Sequence, residues 1–101
     1  MIKVSVLYTN GEGKTFDMDY YCNSHIPMVR RTLGAALKGL SVDLGVGSPE
    51  APAPYIAMVH LLFDSLEVFQ AALATHGPTL MADAPNYTNA QPVFQVSEVK
   101  M

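Results

Sequence analysis

The chain has 101 residues, of which 50% are apolar and only 15% charged, with a formal net charge of −3. That balance is too hydrophobic for disorder, and six scattered Lys and Arg form no basic stripe for phosphates, so nucleic-acid binding loses its main source of affinity. No apolar run approaches the roughly 18 residues a membrane helix needs, and with no signal-peptide pattern visible the expected location is cytoplasmic.

The length suits a single domain over 1–101 with one modest core and apolar surface left for a partner. Cys22 is the sole cysteine, which excludes an internal disulfide and a cysteine-based structural zinc site; between Tyr21 and Asn23 it reads as a small apolar filler.

Ile2, Val4, Val6 and Tyr8 alternate with Lys3, Ser5, Leu7 and Thr9, the period of two of a strand, and Asn10-Gly11-Glu12-Gly13 turns the chain. From Asp17, a residue able to cap a helix, Met18, Tyr21, Cys22, His25 and Val29 recur at spacings of three and four. Pro27 removes an amide donor and disfavours helical torsions at Ile26, so a kink or irregular turn is expected around His25 to Pro27. The helix then resumes to Leu33 and stops at Gly34.

Lys38 to Val46 alternates as a second strand, and the Gly- and Pro-rich stretch 47–54 is a loop that can shape substrate entry. Tyr55 to Phe63 is apolar at nearly every position, the mark of a central strand covered on both faces. Asp64 as cap with Glu67 three residues on starts a second helix, with Leu66, Phe69, Ala72, Leu73, His76 and Leu80 on one stripe and an interruption at Gly77-Pro78. Asp83 to Asn89 is turn-forming, and Pro92 to Val99 is the last strand.

The order is β-α-β-β-α-β, which predicts an α+β fold with a four-stranded antiparallel sheet carrying two helices on one face. Strands one and three place apolar residues on both sheet faces, so the bare face calls for a second copy of the sheet: a homodimer with an interface at or above ~1,600 Å².

Phe16 to Pro27, with its Tyr20-Tyr21 pair and His25-Ile26-Pro27, and Pro85-Asn86-Tyr87-Thr88-Asn89 running on through Ala90 to Glu98, resemble the EthD family, named for ethyl tert-butyl ether degradation. The opening Met1-Ile2-Lys3-Val4 agrees, so the resemblance covers essentially the whole chain. It implies a dimeric α/β barrel of ferredoxin-like subunits. Members resemble proteins that accompany an oxygenase system for ether degradation, and relatives on the fold include cofactor-free monooxygenases, cyclases, isomerases and haem-degrading enzymes; fold alone does not choose among them.

His25, on an apolar stripe beside a predicted kink that faces a sheet, is the candidate general base or hydrogen-bond partner of a substrate. Tyr21, four residues earlier, is the candidate orienter or oxyanion donor, while Tyr20 points about 100° away. Tyr8, Met58, His60 and Phe63 are the candidate substrate-binding residues, with His60 able either to meet His25 or to sit in the dimer face. His76, just before Gly77-Pro78, reads as a helix C-terminal residue, and Asn86, Tyr87, Asn89 and Gln91 as turn and loop packing. The three histidines lack metal-site spacing, so no metal is expected; no cofactor is called for, with haem on one axial histidine left open.

The functional expectation is an oxidoreductase, or an accessory to an oxygenase, acting on a small hydrophobic compound between sheet and helices. The alternatives are a non-catalytic binding module for a hydrophobic intermediate, a cofactor-free isomerase or cyclase, and a purely structural dimeric partner.

Overall fold

Ile2–Thr9 forms β1, whose alternation of Val4, Val6 and Tyr8 with Lys3, Ser5 and Leu7 turns one set of side chains to the helices. The computed structural model describes residues 1–101. β2 (Gly39–Leu44), β3 (Tyr55–Phe63) and β4 (Pro92–Glu98) complete one antiparallel sheet in the order β2-β3-β1-β4. β1 and β3 are thus central, as the continuous apolar run of β3 requires. Their register sets Val4 against Leu61, Val6 against Val59 and Tyr8 against Ala57, all on the helix side. This is the split β-α-β, ferredoxin-like arrangement.

The first helical stretch starts where the Asp17 carboxylate accepts the Tyr20 amide hydrogen at 3.0 Å. It runs as α1 (Met18–Tyr20), a π-helical turn (Tyr21–His25) and α2 (Ile26–Leu33). The disturbance that Pro27 imposes therefore appears as a wider turn just before it, in which the Ile26 amide donates to the Tyr21 carbonyl. Gly34, with φ 54°, ends α2 in a conformation costly for other residues.

β2 is shorter at both ends than the expected 38–46. Lys38 and Gly45, just outside it, still donate their amides to the Leu62 and Ile56 carbonyls at 2.7 and 2.8 Å, and at Gly45 a side chain would run into the Tyr55 carbonyl.

α3 (Leu66–Ala82) departs from expectation twice. Its cap is Ser65, whose Oγ accepts the Val68 amide hydrogen at 3.2 Å, rather than Asp64. Pro78 also sits inside a continuous helix instead of breaking it: the carbonyl it deprives, that of Ala74, lies on an exposed stretch where water can serve it. His76 is consequently in the helix interior, not at its end.

Only 15 of 101 residues are buried, 12 of them apolar residues in two patches of eight and four, so the space between sheet and helices is not filled. Phe94 and Val96 on β4, and Leu73 and Met81 on α3, are each about half exposed and rim that gap.

Candidate functional site

The π-turn carries Tyr21 and His25 on its buried side, their rings stacked at 5.0 Å between centroids with planes 23° apart. His25 Nδ1 lies 2.9 Å from Asp83 Oδ2, a residue 58 positions away in the short turn after α3. Asp83 Oδ1 accepts from the Tyr20 hydroxyl and from the Asn86 side-chain amide, each at 2.8 Å. Burial by itself would push the Asp83 carboxyl up. The hydrogen bonds from Asn86, His25 and Tyr20 and the attraction of His25 outweigh it, and the carboxyl ends below the ordinary aspartate value. Ionised Asp83 can only accept, so Nδ1–H of His25 donates to it, and in the neutral ring the lone pair falls on Nε2.

Around this pair the aromatic rings close in. Tyr87 lies 4.7 Å from both Tyr21 and His25 by ring centroids, and its hydroxyl is 2.9 Å from that of Tyr8. Burial is the main cause that raises the phenols of Tyr8, Tyr21 and Tyr87 far above the ordinary tyrosine value, so they remain O–H donors at any working pH.

Tyr87 is held by a clasp between two loops. The Asp17 amide donates to the Tyr87 carbonyl at 2.7 Å, the Thr15 amide to Asn89 Oδ1 at 2.8 Å, and Thr88 Oγ1 to the Thr15 carbonyl at 2.6 Å. Thr88 and Asn89 thus tie the two loops together, and Asn86 reaches Asp83.

These groups border a cavity of ≈ 480 Å³ between the sheet, α2 and α3, in which 19 of 22 lining residues are hydrophobic. Such a size and lining suit a small organic ligand with few polar atoms. Of the residues singled out in the sequence, Tyr8, Tyr21, His25 and Phe63 line it together.

Met58 and His60 do not line the cavity: they lie on the opposite sheet face. Grouping Met58 with Phe63 conflicts with the strand period of two, which sends even and odd positions of β3 to opposite sides. His60 instead places Nδ1 2.8 Å from Ser5 Oγ and Nε2 3.5 Å from Asp43 Oδ2, a polar row across β1, β3 and β2. No group of three or more His, Cys, Asp or Glu side chains is placed to hold a metal ion.

Sequence reasoning missed Asp83, with Tyr20 and Asn86 as its hydrogen-bond donors, and Tyr87 as a ring of the cavity wall. The available signal was that Asp83 is the one acidic residue between Glu67 and Glu98, two residues before the Pro85-Asn86-Tyr87 motif.

Comparison with known proteins places this geometry in context. No curated protein matches the chain. A solved EthD-like protein from Ralstonia eutropha is 42% identical with a TM-score of 0.92, covering 99% of this chain and 92% of its own. An ethyl tert-butyl ether degradation family protein from Bacillus halodurans is 24% identical with a TM-score of 0.70, covering 99% of both chains. SnoaB from Streptomyces nogalater, a cofactor-independent oxygenase, shares the fold at 9% identity and a TM-score of 0.60, over 99% of this chain and 92% of its own. The EthD domain model matches residues 10–91, the span that carries the π-turn, Asp83 and the clasp, and the chain belongs to the EthD family.

Proposed function

We propose that the protein is an enzyme of oxidoreductase type that removes a proton from a small, uncharged hydrophobic compound held in the cavity. The observation that carries this reading is the Asp83–His25 pair at the edge of an apolar cavity of ≈ 480 Å³. His25 Nε2 takes the proton, Asp83 stabilises the imidazolium so formed, and the desolvated phenols of Tyr21 and Tyr87 donate to the developing oxyanion. Tyr8 braces Tyr87 through the 2.9 Å hydroxyl contact, and Phe63 forms part of the apolar wall. His60 and Met58 belong to the dimer face in this reading, not to substrate binding.

The anion can then react with dioxygen or be reprotonated elsewhere. The first outcome makes an oxidoreductase, which the shared fold with a cofactor-independent oxygenase favours; the second makes an isomerase or cyclase. An ether-derived or aromatic compound falls within the accepted class. The chain works as a homodimer in the cytoplasm, its two uncovered sheet faces meeting.

Anthrone, a tricyclic carbon acid, tests the chemistry: its conversion to anthraquinone turns one CH₂ and one O₂ into a carbonyl and one water. The expected result is turnover that falls at least ~100-fold in His25→Ala, the scale of a lost general base. An unchanged rate in that variant removes His25 from the mechanism. Affinity without turnover in the unaltered protein means a binding module instead.

A further inference from the structure

α3 walls the cavity, yet its one buried residue has no side chain. Gly77 lines the cavity between Leu73 and Leu80, one turn to either side. A glycine inside a helix destabilises it relative to alanine, so its presence asks for a reason.

Three ordinary reasons do not hold here. Gly77 is not among the glycines with positive φ, which are Gly13, Gly34 and Gly47. No backbone approaches it: an added Cβ would meet only Leu73, at 3.0 Å from Cδ1 and 3.6 Å from Cγ, the tip of a side chain 48% exposed and free to give way. Pro78 follows, and a proline crowds the Cβ of a helical residue before it. Nevertheless Ile26, which is β-branched, precedes Pro27 with φ −64° and ψ −43° in this same chain.

What remains is the empty space that Gly77 borders. We infer that Gly77 is a specificity-determining residue: the gap it leaves in the α3 wall sets how bulky a hydrophobic compound can lie against His25. The inference rests on reading the cavity as a ligand site, and it adds which residue selects ligand size. Gly77 itself lines the cavity with Leu73 and Leu80, and only the yielding tip of Leu73 lies within 4 Å of an added Cβ, so a longer side chain here adds bulk to the cavity wall.

Binding separates the two readings without relying on turnover. The probes are phenol, 2-naphthol and 2-hydroxyanthracene, one to three rings with one hydroxyl each, titrated by calorimetry against the unaltered chain, Gly77→Ala and Gly77→Leu. The unaltered chain is expected to prefer the larger probes. Gly77→Leu should weaken the three-ring probe at least tenfold while phenol stays within twofold. Gly77→Ala should give a smaller change in the same direction together with a higher midpoint of thermal unfolding, so it keeps the test valid if Gly77→Leu folds poorly.

The same substitutions in a Pro78→Ala background remove the crowding by proline, and the loss for the three-ring probe should persist. A size order unmoved by either substitution, or an effect that vanishes without Pro78, overturns the role of Gly77 while leaving the cavity a ligand site. Failure of every probe to bind the unaltered chain overturns the ligand-site reading and this inference with it.

Discussion

At the scale of single residues, the site depends on a carboxylate and an imidazole that share no neighbourhood in sequence. Asp83 does not line the cavity; in the proposed mechanism it sets which nitrogen of His25 carries the proton and steadies the charge that follows proton transfer. Asp83→Asn is therefore expected to lower turnover of anthrone by about 10²-fold or more while changing probe binding little, a split between rate and affinity measured in parallel.

The same carboxyl has an acid signature. Its pKa is lowered in the folded chain, so its stabilising contribution is present above the ordinary value of 3.8 and fades as pH falls through the lower folded value. Urea midpoints measured from pH 6 to pH 2 should show the gap between the unaltered chain and Asp83→Asn shrinking below about pH 4; a constant gap would contradict the pairing.

At the scale of elements, the π-turn and α3 do most of the positioning. Pro27 denies the Asn23 carbonyl its helical donor, and the chain widens over Tyr21–His25, which presents both rings to the sheet. Pro27→Ala allows the segment to relax toward a regular α-helix. The expected result is a higher thermal midpoint, from a stability gain smaller than the ~3 kcal/mol that a helix-interior proline costs, with weaker probe binding as the Tyr21 and His25 rings turn. Calorimetric melts and titrations on one preparation check both halves.

Much at this scale was legible. The alternation of β1 and β3, the Asp17 cap, the disturbance near Pro27 and the Gly34 stop all follow from interactions within a few residues. The misreadings were of two kinds. Ser65 in place of Asp64 is a choice between adjacent residues with equal capping chemistry, and uninterrupted helix at Pro78 depends on the exposure of Ala74, which only the packed chain determines.

At the scale of the whole molecule, the helices cover one sheet face and leave the other with half-buried Leu7, Met58 and Leu62 beside the Ser5–His60–Asp43 row. In the homodimer we propose, that face is buried. Leu7→Asp is expected to shift sedimentation at micromolar concentration from dimer to monomer, because a buried unpaired carboxylate is costly. His60→Ala should alter that equilibrium too, yet leave the cavity's preference among the one- to three-ring probes in place. A monomeric unaltered chain would end this part of the reading.

The sequence by itself determined the element order, the pairing of Tyr21 with His25 on one side of a helix, and the EthD resemblance, because each rests on local periodicity or on a contiguous motif. It did not determine which face of β3 the helices cover: both faces are apolar, so Met58 and His60 looked as eligible for the site as Phe63. Nor did it bring Asp83 to His25 or leave open space beside Gly77. Contacts across 58 residues, and the absence of a filling side chain, exist only once two helices are laid against one sheet, and that packing decided the site.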